Sequence, residues 1–367
     1  MLSDTSTHLL RLELRDVRRF VEAHLELDPE STTVLTGPNG SGKTTFLEAV
    51  AYLGSQRSFR TTSRSAMVRI GAQRGIVRAE LRHERTPLVL ESELHDGGGT
   101  RTLLNRRAVH GRAQLADALA VTVFSPDDLG LVQGPPSRRR ELLDGVLRLV
   151  DARAAADLDA MERALRQRAA LLRQAGGRLK PDIVSTLDVW DERLSVIGTA
   201  VSDARRALVD EAAPLVEEAY ARFAGVRRDG DAVTMDYVPG WKGGLADALV
   251  KSRHDDVRRG ASTVGPHRDE IALRIDARDA RTQTSQGEQR SLALALRLAL
   301  HGFVTERRGG SPLLLLDDVF SELDADRSRA LVRQLPAGQA LLTTAARLPD
   351  GVEVGAVVDV QSLGSTS

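Results

Sequence analysis

The residues best equipped for chemistry are Gly37, Pro38, Asn39, Gly40, Ser41, Gly42, Lys43 and Thr44, with Thr45 following. They fill the phosphate-loop spacing G-x-x-x-x-G-K-[ST] completely. Glycines let backbone N–H groups turn onto phosphate oxygens, and a following helix adds the partial positive charge of its N-terminus. Lys43 is expected to reach the β- and γ-phosphates, and the Thr44 hydroxyl to hold Mg²⁺. Among 51 basic residues only Lys43, Lys180, Lys242 and Lys251 are lysine. A phosphate loop needs a compact ammonium on a flexible stem, where a guanidinium fork does not fit. A Gly-rich turn without a ligand is the bland alternative, and the complete motif between a strand and a helix argues against it. The implied ligands are ATP and Mg²⁺.

A second set of residues supplies carboxylates. The apolar run Leu313-Leu314-Leu315-Leu316 leads into Asp317-Asp318, a Walker B arrangement. Asp317 is expected to hold Mg²⁺, directly or through water, and Asp318 to orient or deprotonate the attacking water. A solvated strand end would explain two acids by themselves; beside a complete phosphate loop they read as the other half of the site. Ser285-Gln286-Gly287-Glu288-Gln289 precedes a buried helix and resembles the signature motif of ABC-type ATPases. A Ser and a Gly at a helix N-terminus make a second phosphate-binding end. An ordinary capping box between Ser285 and Glu288 is the alternative, and the two roles are compatible. Ser321-Glu322-Leu323-Asp324 resembles the D-loop of the same ATPases, through Glu322 and Asp324.

These residues need a scaffold, and the patterning predicts an α/β one. Leu9–Leu14 and Ala23–Leu27 alternate as an antiparallel pair, and Thr32–Thr36 reads as the strand before the phosphate loop. Short alternating stretches between Gly75 and Leu104, with a turn at Asp96–Gly99, predict a small antiparallel sheet. Residues 1–8 read as a loosely held start, Ser55–Arg64 as an exposed basic loop, and Tyr237–Gly244 as an irregular passage. From Ser137 to about Arg222 the spacing is helical, interrupted near Gly176-Gly177, Pro181 and Gly198, as in a hairpin or small bundle. Its apolar positions are expected to form its own core. Strand character returns at Ile271–Ile275, Leu313–Leu316, Gln339–Thr344 and Val354–Val360. The predicted organisation is a head split over 1–135 and 259–367, with an inserted, mainly helical domain over 136–258.

Composition sets limits. At 367 residues, with 41% hydrophobic and 28% charged content, the chain is long enough for two domains. No apolar run reaches membrane-spanning length, and there are no cysteines, which fits a cytoplasmic location. The eight histidines make no H-x-x-x-H pair, so zinc is not expected. Net charge is zero and aromatic content 3%. Any DNA binding should therefore rest on arginine-to-phosphate contact with steep salt dependence, and base stacking should be minor.

The full set of motifs resembles the RecF family, DNA replication and repair ATPases related to SMC proteins. The resemblance spans almost the whole chain. It runs through Gly37–Thr44, Ser58-Phe59-Arg60-Thr61, Phe124–Leu129 and Leu131–Pro136 with Arg138-Arg139-Arg140 and Asp144. It continues through Gly265-Pro266-His267-Arg268-Asp269, Ser285–Arg290 and Leu314–Asp324. It implies an ABC/SMC-type P-loop ATPase head with an antiparallel β subdomain and an inserted helical domain. It further implies a slow ATPase that dimerises on ATP, with Ser285 to Gln289 acting in trans. Such a protein binds gapped, single-stranded or linear duplex DNA, works with RecO and RecR, and helps load a recombinase after DNA damage and in the SOS response.

Arg60, His267 and Arg268 are candidate sensor or DNA contacts, and Thr343 or Thr344 the candidate γ-phosphate sensor. Arg57, Arg60, Arg64 and Arg69 form one basic cluster, and Arg101, Arg106, Arg107 and Arg112 another. The family's Asn-Gly turn is here Asn105-Arg106, and Ala345-Ala346-Arg347 lacks the further Thr or Asp expected after Thr344. The competing readings are a transporter-type ATP-binding subunit, a nuclease-associated ATPase and a structural SMC-like protein. The long helical insertion, the absent switch histidine, the short C-terminal segment and the lack of sustained heptads count against them.

Overall fold

The computed structural model describes residues 7–61, 63–109, 111–224, 232–345 and 348–366. Most of the expected loose start, Thr62 of the basic loop, and Ala346-Arg347 after the strand therefore lie outside the described residues, as does the Glu322 side chain. The chain forms two compact units: one runs up to Asp128 and resumes at Leu294, the other spans Leu129–Ala293.

The first unit opens with β1 (Thr7–Val17), β2 (Phe20–Glu26), β3 (Thr32–Thr36) and α1 (Lys43–Ser55). It continues through β4 (Arg74–His83), β5 (Thr86–His95), β6 (Thr100–Leu104), β7 (Arg107–Ala108), α2 (Arg112–Ala118) and β8 (Val121–Phe124). The second unit contributes α3 (Leu129–Gln133), α4 (Pro136–Val150), α5 (Ala152–Gln174), α6 (Pro181–Ala224), β9 (Val233–Val238) and α7 (Leu245–Arg259). After β10 (Glu270–Ile275) and β11 (Arg278–Asp279) comes α8 (Gln286–Arg308), within which the division falls. The first unit then closes with β12 (Leu313–Asp317), α9 (Ala325–Gln334), β13 (Ala340–Thr343), β14 (Ala356–Asp359) and β15 (Gly364–Thr366).

Two sheets build the first unit. The parallel one has strand order β14-β3-β13-β12-β8, and its inner strand β12 is buried along its whole length, as an unbroken leucine run requires. The antiparallel one has order β15-β2-β1-β4-β5-β6-β7. The expected pairing of the first two strands holds, with Leu12 opposite Leu25 and Leu14 opposite Ala23. Alternation along β1, with a register shift between Leu9 and Arg11, sends Leu9, Leu12 and Leu14 into a core shared with Phe46, Leu47, Val50 and Leu53 of α1. Gln339 joins the sheets: its amide accepts from Leu9 N at 2.8 Å and donates to Leu9 O at 2.6 Å. The turn after β6 uses Asn105 and Arg106 at φ 49° and 66°, a left-handed pair where a glycine would relieve strain at the second position.

In the second unit α6 is one helix of 44 residues, so Gly198 does not interrupt it as the sequence suggests. That glycine is small for a different reason. A Cβ there would lie 2.8 Å from Leu245 and 3.0 Å from Pro266. Tyr237 and Val238 likewise belong to β9; the irregular passage starts after them. The unit boundaries fall at Asp128 and Leu294, whereas the sequence places them after 135 and before 259. The reason lies in pairing. β10 registers on β9 from Glu270 opposite Val238 to Ile275 opposite Val233, which ties the segment after 259 to the helical unit.

Buried ion pairs organise this unit. Arg168, fully buried, donates to Asp191 at 2.7 Å, Asp256 at 2.7 Å and Ser262 at 2.8 Å. Arg205 grips Asp144 with two bonds of 2.7 and 2.8 Å and donates to Pro266 O at 2.8 Å. Asp269 accepts from Gly240 N at 2.8 Å, Ser202 at 3.1 Å and the Tyr237 hydroxyl. Burial pushes the Asp269 pKa up, and these donors oppose it.

A titratable group in the first unit gives this fold a pH dependence. His301 on α8 is 2% exposed, and burial drives its pKa down to about 4. The fold holds the neutral imidazole, so its contribution is complete above the unfolded value near 6.5 and is lost as pH falls toward 4. His301→Gln should therefore show less acid destabilisation than the native chain, by about 3 kcal/mol between pH 6.5 and 4. Urea titrations at the two pH values measure the difference.

Candidate nucleotide site

Parallel register brings the separated motifs together. Asp317 stands opposite Thr343, and Thr343 opposite Leu35, so β12, β13 and β3 end side by side where the phosphate loop begins. Ligand sites of open parallel sheets lie at such carboxyl ends. Thr44 donates its hydroxyl to Asp317 Oδ1 at 2.8 Å, and Thr343 donates to the same oxygen at 2.8 Å. Burial pushes the Asp317 pKa up; the two hydroxyls and the nearby Arg60 charge pull it down, and Asp318 pushes it up again. Asp318 follows at φ 47°, in the left-handed region, with its N–H on Thr343 Oγ1 at 3.0 Å. A non-glycine residue held there is a strained backbone position of the kind that gathers at functional sites.

The loop itself is tightly constrained. Lys43 Nζ donates to Gly37 O at 2.6 Å and Pro38 O at 3.1 Å across the loop. Gly42 sits at φ 104°, and a Cβ there would meet the Phe20 ring at 2.6 Å. Arg19 donates to Gly40 O, so the β1–β2 turn lies against the loop. Ser41 Oγ is buried and has no hydrogen-bond partner among the described residues. A cradle of backbone turns, one lysine and an unpartnered buried hydroxyl fits a triphosphate. Thr44 and Asp317 suit Mg²⁺, which is commonly held by one or two carboxylates plus phosphate oxygens.

Sequence reasoning missed one participant. Glu48, fully buried one turn along α1, accepts from Arg18 at 2.9 and 2.6 Å, from Ser58, and from Arg60 at 3.5 Å. It thereby fastens Ser58–Thr61 to the helix that starts in the phosphate loop. The available signal was a lone acid inside the apolar run Phe46–Leu53, since a buried polar residue is the informative exception. Arg69 of the same basic cluster is engaged by Asp16 at 2.7 Å.

The remaining candidates divide between the units. Ser285 to Gln289 belong to the second unit. There Ser285 N donates to Glu288 at 2.6 Å and Glu288 N to Ser285 Oγ at 3.3 Å, a capping box. The backbone and hydroxyl of Ser285 hold the Glu288 pKa down. Gln289 donates to Ala280 O at 3.0 Å. His267 and Arg268 both bond Ser262 O, at 3.0 and 3.2 Å, and burial lowers the His267 pKa. Asp324, in the first unit, caps α9 by accepting from Arg327 N at 2.8 Å.

Fold and site define a P-loop ATPase head of the SMC class, and the family model RecF/RecN/SMC N terminal domain matches residues 8–345. A DNA replication and repair protein RecF from Streptomyces avermitilis is 36% identical over 355 residues, covering 92% of this chain and 93% of that protein. Its counterpart in Acidothermus cellulolyticus is 39% identical over 352 residues, covering 92% and 94%. A solved structure of the recombination mediator protein RecF-ATPrS in the RecFOR pathway has a TM-score of 0.86 at 25% identity, covering 99% of both chains. The chain belongs to the RecF family.

Removing the Glu48 carboxylate leaves Arg18 and Arg60 without their acceptor. Glu48→Ala should cost about 1–2 kcal/mol in urea unfolding, because the arginines it leaves are partly solvated and Arg18 keeps Ala66 O, and Glu48→Gln less. An unchanged denaturation midpoint in Glu48→Ala would remove this carboxylate from the account.

Proposed function

We propose that the chain is an ATP-dependent DNA-binding protein of replication and recombinational repair whose ATP site is completed by a second copy. The observation that carries this reading is the meeting of Thr44, Asp317 and Thr343 on one carboxylate oxygen. ATP supplies phosphates to be gripped and a γ-phosphoryl group to be released to water, with Mg²⁺ offsetting its charge. Lys43 and the amides of Gly37 to Thr45 hold the phosphates. Thr44 and Asp317 hold the metal, and Asp318 orients the attacking water and takes its proton. Thr343 keeps Asp317 in place, and Arg60, parked on Glu48, responds to nucleotide or DNA.

Ser285 and Gly287, with Gln286, Glu288 and Gln289 behind them, present a helix N-terminus to the nucleotide of the opposite subunit. Glu322 and Asp324 line the same junction. His267 and Arg268, both on Ser262 O, read better as packing groups than as DNA contacts. Hydrolysis is slow and works as a switch that opens the dimer. The clamp closes on gapped, single-stranded or linear duplex DNA, and RecR with RecO are its partners in loading a recombinase. These proteins would meet in the cytoplasm; no described helix is long and apolar enough to cross a membrane. The split head over 1–135 and 259–367 with an inserted helical domain over 136–258 is the proposed domain organisation, and the compact units divide the chain differently.

Three variants and a salt titration test the arrangement. Asp318→Asn should bind ATP normally, lose at least about 100-fold in turnover, and sediment as a trapped dimer. Lys43→Met should lose nucleotide binding altogether. Wild-type hydrolysis by Asp318→Asn would exclude that carboxylate from the mechanism. Ser285→Arg should bind ATP as a monomer and fail to dimerise in sedimentation with ATP; normal dimerisation would remove the trans signature. DNA affinity should fall steeply with added salt, because arginine contacts release counterions.

A further inference from the structure

We propose that the α5–α6 groove around Trp190 is a docking site for a partner-protein segment that is acidic and carries an apolar anchor. The helix α6 already has a buried face, formed by Ile183, Leu187, Leu194 and Val201. At about 100° per residue, Val189, Trp190, Arg193, Val196 and Ile197 fall on an adjoining face spanning about 120°. Val189 is 64% exposed and Val196 68% exposed. Trp190 and Ile197 are half-buried, and the two exposed valines extend their apolar surface outward, which suits an interaction surface.

The shape and charge of the groove specify the occupant. Beside this stripe lies a cavity of about 370 Å³, with Ala160 and Ala164 of α5 supplying small side chains opposite Trp190. Arg163, Arg166 and Arg193 line the same cavity. Arg193 lies over the Trp190 ring, 5.8 Å from its centroid. Arg166 is paired only loosely, with Glu162 at 3.9 Å and most of its side chain in solvent. Tryptophan and arginine are the residues that most often dominate binding at protein interfaces. Three guanidinium groups call for carboxylates, and the valines with Trp190 call for an apolar side chain. An amphipathic acidic helix meets both demands.

A nucleic acid fits less well. Single strands need an open aromatic face, and here Arg193 already lies over the ring. The exposed valines would gain nothing from phosphates.

The chain has two tryptophans, so Trp241→Phe leaves Trp190 as the sole reporter of its own groove. The full-length Trp241→Phe protein is titrated with a synthetic helical peptide of leucine and glutamate. Its lysine counterpart and a single-stranded oligonucleotide serve as the other arms. The acidic peptide alone should shift Trp190 emission, and Arg163→Glu with Arg193→Glu should weaken its binding by about tenfold or more. ATP binding, followed in parallel, should be unchanged, which separates a lost groove from a misfolded chain. The single change Val196→Asp, on an exposed site, should weaken the same peptide by an independent route. No emission change, or an equal response to the lysine peptide, would overturn the proposal. A response to the oligonucleotide alone would assign the groove to nucleic acid instead.

Discussion

One carboxylate oxygen governs the nucleotide half of this molecule. Asp317 Oδ1 receives hydroxyls from Thr44 and Thr343, each at 2.8 Å. Those two residues sit at the start of a helix and at the end of a neighbouring strand. The carboxylate is buried, which pushes its pKa up, and the two hydroxyls oppose that shift. Hydrogen bonds of this length tolerate shifts of only a few tenths of an ångström. The register of β12, β13 and β3 is thus fixed by chemistry at their ends as much as by the apolar residues along them. A slip of one residue would turn Asp317 to the other face and disconnect all three elements.

That arrangement also explains what could be read from the sequence and what could not. The phosphate loop and the leucine run before Asp317 are local patterns, and both stand where expected. Strand order is not local. Ala340–Thr343 and Val121–Phe124 are similar short apolar runs, and nothing within either says which lies between the phosphate loop and Walker B. The structure puts β13 there, and Thr343 therefore reaches Asp317 directly. Thr343, a candidate γ-phosphate sensor from the sequence, thus contacts the Asp317 carboxylate at 2.8 Å. Glu48 escaped notice for a related reason: its partners Arg18, Ser58 and Arg60 are scattered along the chain and become a group only in the folded state.

The second unit follows a different logic. Its helices were legible from spacing, but the segment after 259 shows only one short strand pattern and joins them through β9–β10 pairing and through charge. Asp144, Arg205, Pro266 and Asp269 meet in one buried network, so two distant motifs of the family pattern are a single structural feature. Arg139 adds bonds of 3.0 and 2.8 Å to Glu270. Buried pairs of this kind add little net stability, because desolvation offsets their attraction. Their geometric demands are strict, however, and a wrong packing of α4, α6 and β10 would strand a charge at a cost of several kcal/mol. The network selects one arrangement of the unit over others of similar apolar burial.

The capping box at the start of α8 bears on how the proposed signature can work. Ser285 acts as an acceptor there, taking the Glu288 N–H, while the Glu288 carboxylate takes the Ser285 N–H. A serine hydroxyl has one proton to donate in addition to its acceptor sites. The Ser285 hydroxyl also helps hold the Glu288 pKa down, so within the cap its proton serves that carboxylate. A phosphate contact would redirect that one proton by rotation of the hydroxyl, while the two backbone N–H bonds of the cap stay in place. The cap fixes the serine rotamer before any nucleotide arrives, and less conformational freedom is then lost on contact. Glycine at 287 keeps the surface between Ser285 and Glu288 low enough for close approach. Ser285 and Glu288 thus fix the first turn of the helix, and the capping box is compatible with the proposed signature role.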